Sequence, residues 1–455
     1  MENSGKIRYK FDKKSGGYVV VIASAINGGI DIPPLYNDGK NGEHPVVEIE
    51  NEAFALSDAE YVRIPQSVVK ISTDALYAYV ALENIFVDEN NPVYKSVDGN
   101  LYSKDGKKII RYAKAKKNTS FDIPNGVVEI GDFAFFGSKN LASVTIPESI
   151  TKIGEWAFAL GGLKIANVPN KVKTIGDYAF DGCENLEQVY IPAAVTHIGE
   201  FSFYNCHCLR FILVDKQNPV YQSRGYSTES PGVCLCGRDG TLICYPSGYN
   251  CPNTFKIPDD ITVVERSALS GCRFNRIEIP AALKNICYDN VDNCLLGYIG
   301  VDANNSRYKS IDGVLYSKDG KTLIRYPREK SDHSFVVPNG VKTIKGTAFA
   351  WNDYLHSVEI PDSVESIEDS AFFWCKNLET VVFMFPDNWI LTEYLLGEPK
   401  KRVGWISADS IKDVHYAALL LRETFDCYEW KRVDNIRDIA DCPNVDKGID
   451  TSDKK

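Results

Sequence analysis

The sequence is poor in the features that draw a protein to polyanions or into bilayers. It sets 51 lysines and arginines against 61 acidic residues, a formal charge of -10, and shows no basic stripe, so a nucleic-acid partner is not expected. No run approaches the roughly 20 apolar residues of a membrane span, and Met1 to Tyr9 contain no apolar stretch of signal-peptide length. The six histidines, His44, His197, His207, His333, His356 and His415, are scattered, with none at ligand spacing from another. Absent too are His-Glu-x-x-His, Gly-x-Ser-x-Gly, a phosphate loop and Gly-x-Gly-x-x-Gly after a strand. No catalytic residue, cofactor or metal site is therefore assigned, and an enzyme is not expected; a hydrolase would have to reside in residues 384–442.

Cysteine is plentiful, but its pattern excludes a disulfide framework. Thirteen is an odd number, and a chain this long needs no staples. Cys183, Cys206, Cys272, Cys294 and Cys375 each follow the same repeat position by three residues, the mark of small buried apolar side chains. Cys234-x-Cys236, Cys244 and Cys251 form the one cluster able to pair or to hold a metal. Its spacing is not that of a zinc ribbon, and substitution drift is the plainer account. Asp88-Glu-Asn-Asn91 and Asp302-Ala-Asn-Asn305 lack the alternating oxygen ligands of a calcium loop and read as turns closed by asparagine side chains.

What is present is repetition. Phe135, Phe158, Phe180 and Phe203 are 23, 22 and 23 residues apart, each within a unit of the form Ile-Gly-x-x-Ala/Ser-Phe followed by Leu-x-x-Val-x-Ile-Pro, and such a period marks a solenoid. In Leu186-x-x-Val189-x-Ile191-Pro192, Val189 and Ile191 share one face of a short strand and Gln188 and Tyr190 the other. Pro192 then ends it. One turn cannot bury its apolar face alone; stacking at roughly 4.8 Å per turn does. Ten turns are counted, at Phe54, Leu76, the four phenylalanines above, Leu269, Val291, Phe349 and Phe372.

The expected organisation is an N-terminal β-hairpin cap (1–46), a solenoid (47–383), a helical C-terminal cap (384–442) and a disordered tail (443–455). Asp-Gly pairs between β-rich runs predict three inserted hairpins, at 87–112, 214–245 and 301–326, interrupting the stack. Ile411, Val414, Ala418, Leu421, Phe425 and Tyr428 recur at helical spacing, predicting an amphipathic helix over 410–431 with Ser410 and Asp413 as its capping box.

The run Ile191-Pro-x-x-Val-x-x-Ile-Gly-x-x-Ser-Phe203-x-x-Cys206 resembles the BspA-like class of leucine-rich repeats, as does the inserted Tyr94-Lys-Ser-Val-Asp-Gly-Asn-Leu-Tyr-Ser-Lys-Asp-Gly106 hairpin. The resemblance covers about residues 18 to 383. It implies an α/β repeat solenoid, a leucine-rich-repeat horseshoe or rod. It further implies a cell-surface or secreted protein that adheres to host proteins, matrix or other cells. The alternative is a cytoplasmic scaffold or effector, and a monomer is expected. The chain lacks the asparagine ladder of ordinary leucine-rich repeats: the corresponding residues are Ser149, Lys171 and Ala194.

Two surfaces are candidates for a protein partner. Concave solenoid faces commonly bind, and the outward strand residues here include Tyr61, Arg63, Ile165, Asn167, Gln188, Tyr190, Arg276 and Glu278. Phe86, Phe211, Leu213 and Tyr298 also point outward but are expected to anchor hairpins. The second surface is a flank where Phe133, Trp156, Tyr178 and Phe201 precede the Ala/Ser-Phe pair in four consecutive turns. There Asp74, Ser267, Asp289, Thr347 and Ser370 stand in other turns. Packing against one another is the plainer role for those aromatics; docking is the sharper one.

Overall fold

The computed structural model describes residues 6–24, 28–54, 57–76, 82–225, 234–248, 253–286, 294–393, 401–424 and 427–433. The turn expected at Val291, the tail after 442, Phe425 and Cys251 lie outside them. The chain divides into two compact units, Met1–Asp239 with Ile243–Tyr249 and Gly240–Leu242 with Asn250–Lys455.

Each repeat of the first unit contributes to two parallel walls. In the first wall, Ile165–Asn167, Gln188–Ile191 and Phe211–Val214 pair in parallel and in register, as do Ser120–Asp122 with Ser143–Thr145. Alternation buries Val189 and Ile191 and turns Gln188 and Tyr190 outward. The second wall stacks the two-residue strands Glu129–Ile130, Lys152–Ile153, Thr174–Ile175 and His197–Ile198. The bend after them admits no side chain: a Cβ on Gly176 would lie 2.6 Å from the Glu155 amide nitrogen, which is why Ile-Gly recurs. Between the walls the phenylalanines form one column, with rings 5.0, 5.3 and 5.7 Å apart and within 8° of parallel from Phe135 to Phe203.

The expectation that the inserted hairpins interrupt the stack is corrected in part: among the described residues the ladder does break before each of them, since no hairpin strand pairs with the preceding turn, but each hairpin joins the turn that follows. The last strand of the first hairpin, Lys108–Arg111, pairs in parallel with Glu129–Ile130, and Tyr112 stacks 5.5 Å from Phe135 at the end of its column. Thr241–Cys244 pairs likewise with Val263–Val264, and Thr322–Arg325 with Thr343–Ile344. Tyr326 stacks 5.3 Å from Phe349. Each hairpin is a turn widened by two antiparallel strands, an addition to the ten counted. The count missed them because tyrosine replaces the Ala-Phe signature there.

Asparagine builds these widened turns. Asn91, Asn218 and Asn305 are buried. Asn305 Nδ2 donates to the carbonyls of Pro280 and Leu283 at 2.7 and 3.0 Å, and its Oδ1 accepts from the Arg307 and Tyr308 amides, both at 2.8 Å. Asn91 and Asn218 repeat the pattern. The asparagine reading of these loops is thus what the structure shows.

At the N-terminal end, Lys6–Asp12 pairs antiparallel with Gly17–Ser24, which continues in parallel to Glu43–Ile49 and Lys70–Ile71. In the second unit the first wall comprises Thr254–Lys256, Arg276–Ile279 and Tyr298–Val301, and then Ser334–Val336, Ser357–Ile360 and Thr380–Phe383.

The single helix expected over 410–431 is also corrected. Helices Ala408–Lys412 and Val414–Leu419 are followed by a π-helical turn, Leu420–Thr424, and a strand, Tyr428–Arg432. The cap is Ser407, whose hydroxyl accepts from the Ser410 amide. Asp413 restarts the helix by accepting from the His415 and Tyr416 amides, both at 3.1 Å. The final strand runs antiparallel along Ser366–Ile367 and buries Trp430, so its two-residue alternation, not a helical period, is the one that governs.

Candidate binding surfaces

The aromatic flank is built on a strained arc. After each short second-wall strand of this region, alternate amides donate to the next turn: Phe133 to the Glu155 carbonyl at 2.8 Å, Phe135 to Ala157 at 2.7 Å and Gly137 to Ala159 at 2.8 Å. That ladder holds the residue before Ala/Ser-Phe in the left-handed region: φ is 57° at Phe133, 54° at Trp156, 54° at Tyr178 and 57° at Phe201. Glu52, with φ 55°, and Thr347 and Ser370, with φ 57°, share this conformation without an aromatic side chain, whereas Asp74 and Ser267 at the same position do not adopt it. For a residue with a Cβ it costs about 1–2 kcal/mol.

Stacking offsets the cost. Trp156 lies 6.1 Å from Phe133 and 4.2 Å from Tyr178, and Tyr178 lies 4.9 Å from Phe201, all within 6° of parallel. Phe136 and Tyr204 meet the ladder edge-on. The four rings are half-buried, with their stacked faces turned to one another.

On the first wall the register sets Ile165, Gln188 and Phe211 in one row and Asn167, Tyr190 and Leu213 in the next. Ile165 is 49% exposed, while Ala166, Val189 and Ile212 beneath are buried; Leu213, expected to anchor a hairpin, is instead 39% exposed and joins this face. Tyr190 donates its hydroxyl to Asp215 Oδ2 at 3.0 Å. Four of the sequence-derived candidates thus meet here.

The others stand apart. Arg63 pairs with Asp31 at 3.0 Å and lies 5.0 Å from the Tyr61 ring and 4.7 Å from Phe86. In the second unit Arg276 pairs with Glu278 and stacks 3.9 Å over Tyr298. Gly313 of the third hairpin lies against Tyr298 so closely that a Cβ would sit 2.6 Å from the ring, an anchoring contact.

Sequence reasoning missed a second aromatic group. Trp351 and Trp374, each two residues after its column phenylalanine, stack 5.0 Å apart. Arg328 lies 5.7 Å from the Trp351 ring and Lys376 lies 4.6 Å from that of Trp374, which is 45% exposed. Tryptophan recurring at one position in consecutive turns was the available signal.

The periodic cysteines are buried, and they also donate. Cys183 Sγ bonds the Phe158 carbonyl at 3.1 Å, Cys206 that of Phe180 at 3.1 Å, Cys294 that of Leu269 at 3.0 Å and Cys375 that of Phe349 at 3.0 Å. Each of these carbonyls also accepts a backbone amide, so the thiol is a second donor. Burial pushes the Cys183 and Cys375 thiols up to about 12, so both stay protonated at neutral pH. Cys234 and Cys236 are buried opposite Arg224 and Gln222, and Cys244 is buried as well. Among the described residues no three His, Cys, Asp or Glu side chains converge to hold a metal, and no helix is long and apolar enough to cross a membrane.

The model of the BspA type leucine rich repeat region matches six copies over residues 42–103, 107–228, 247–318 and 328–392. This chain belongs to that family. Among solved structures it is similar to a leucine rich cell surface protein from Faecalibacterium prausnitzii, with 22% identity over 85% of this chain and 96% of that one and a TM-score of 0.45. A leucine-rich repeat protein from Eubacterium ventriosum shows 19% identity over 64% and 82% with a TM-score of 0.40. One from Bacteroides ovatus shows 21% over 83% and 92% with a TM-score of 0.33. A comparison with curated proteins returns no match.

Proposed function

We propose that the chain is a non-enzymatic recognition module that binds a protein partner through the outward strand face of its first unit, in the service of adhesion at a cell surface. The reading rests on one observation. Ile165 and Leu213 stand exposed beside Tyr190 on three strands in register, and rigid apolar and aromatic side chains on an ordered sheet are what an interface centre uses. The N-terminal hairpin and the C-terminal strand and helices act as caps in this reading. The aromatic flank supports the scaffold, since its rings use their faces on each other.

The test is binding to a panel of immobilised matrix and host-surface proteins, comparing wild type with the Ile165→Ala, Tyr190→Ala double variant. Loss of a hot-spot pair weakens binding by about tenfold or more, with the melting temperature nearly unchanged because neither side chain is core. Equal affinity of the two proteins would refute this face as the site.

A cytoplasmic scaffold is the second reading, favoured by the thiols of Cys183, Cys206 and Cys375, which are hydrogen-bonded to carbonyls and unoxidised. Biotinylation of intact cells with an impermeant reagent separates the two: labelling supports the surface, and absence of labelling the cytoplasm.

A further inference from the structure

The second unit contains a cleft of about 530 Å³ lined by Lys284, Asn285, Arg307, Ser317, Thr322 and Lys345, among others, with no carboxylate in its wall. Its three cations are unusual in a chain of net charge -10. Lys345 donates to Glu368 at 2.8 Å, whereas neither Lys284 nor Arg307 forms an ion pair among the described residues. One carboxylate against three cations leaves two positive charges facing the cleft. Asp319, which accepts from Ser317 at 2.7 Å, is already answered: hydrogen bonds from Lys321 and Ser317, with Lys321 and Lys309 nearby, hold its carboxyl below the ordinary range.

The fold does not require these cations. The first hairpin has the same asparagine, the same tyrosine and the same parallel pairing. It carries Val69, Val93 and Gly131 where the third carries Lys284, Arg307 and Lys345; it has Lys70 and Lys108 where the third has Asn285 and Thr322, and Lys70 is paired with Glu48 at 2.6 Å. Its nearby Lys108 is paired with Glu129 at 2.8 Å. Three cations that share one countercharge among the described residues repel one another. That arrangement is stable when a ligand supplies the missing charge.

We propose that this cleft binds a tetrahedral oxyanion carrying two negative charges, a phosphate or sulfate group presented free or as an ester. The guanidinium of Arg307 supplies paired donors, the ammonium groups of Lys284 and Lys345 point charges, and the Thr322 hydroxyl and Asn285 amide neutral donors. A lone carboxylate would leave one positive charge unmatched.

The experiment titrates the full chain with inorganic phosphate and, separately, inorganic sulfate at constant ionic strength, by calorimetry. It compares wild type with a Lys284→Val, Arg307→Val variant that copies the first hairpin, with melting curves confirming that both fold. The expected result is saturable binding at one site, weakened about tenfold or more in the variant. Phosphate binding should fade as the pH falls through the second ionisation of inorganic phosphate, which lies above the roughly pH 6 of a phosphate ester, while sulfate binding persists. Preference for one anion assigns the ester class. Absence of saturable binding to either anion, unchanged affinity in the variant, or parallel loss of sulfate binding on acidification would each overturn the proposal.

Discussion

The aromatic ladder sets strain against stacking, and Trp156 allows the two to be weighed separately. Trp156→Ala removes the contacts to Phe133 and Tyr178 at 6.1 and 4.2 Å while keeping a Cβ at a position where φ is 54°. Each aromatic pair contributes about 0.5–1.5 kcal/mol beyond burial. Re-exposing the buried part of a half-buried indole costs roughly 1–2 kcal/mol more. The alanine variant should therefore lose about 2–5 kcal/mol. Trp156→Gly loses the same contacts but is relieved of the left-handed penalty, about 1–2 kcal/mol, less the roughly 0.5–1 kcal/mol by which glycine's unfolded-state freedom opposes folding. It should be more stable than the alanine variant by about 0.75 kcal/mol at the middle of these ranges, and by at most about 1.5 kcal/mol. Urea unfolding followed by circular dichroism measures both, provided the slopes agree among the three proteins. An alanine variant as stable as wild type would refute the packing role and return the ladder to the list of docking sites. A glycine variant no better than the alanine variant would refute the strain argument.

Asn305→Ala removes four hydrogen bonds and leaves the Leu283 carbonyl and the Arg307 and Tyr308 amides without that partner, and should cost about 2–4 kcal/mol in urea unfolding; a loss under roughly 1 kcal/mol would show that those groups find other partners. Burial pushes the Asp181 carboxyl up to about 6, so its ionised form opposes folding above that pH, and stability recovers as the pH falls from about 6 toward the ordinary carboxylate range near 4. Asp181→Asn should accordingly melt higher than wild type at pH 8 and alike at pH 4; an advantage that persists in acid would contradict this. With an aromatic disulfide reagent at pH 8, exposed Cys208 should react in the native protein, and Cys183 and Cys375 only after denaturation, as peptide mass mapping would reveal. Rapid native labelling of Cys183 would show that its column opens.

Much of the architecture is a one-dimensional property. A spacing of 22 to 23 residues between Phe135, Phe158, Phe180 and Phe203 is the chain length of one turn, so a single column of stacked rings follows wherever the spacing holds. Val189 and Ile191 against Gln188 and Tyr190 likewise fix which strand face is wet, because alternation is local. The outward face that carries Ile165 and Tyr190 was legible for that reason. The Trp351–Trp374 pair was equally periodic and was overlooked.

Other features depend on partners that no local pattern names. The hairpins look like interruptions until Lys108–Arg111 finds Glu129–Ile130 and Tyr112 takes its place beside Phe135. The helix over 410–431 looks continuous until Asp413 caps its second half and Trp430 packs as a strand residue beside Ser366–Ile367. The left-handed arc under Trp156 and the thiol bonds of Cys183 and Cys206 arise from hydrogen bonding to the neighbouring turn. So does the meeting of Lys284, Arg307 and Lys345, which are up to 61 residues apart in the chain. Period and alternation are set by covalent geometry and can be read along the chain. Which groups end up without a countercharge, or held in a strained conformation, is decided only when one turn is laid against the next.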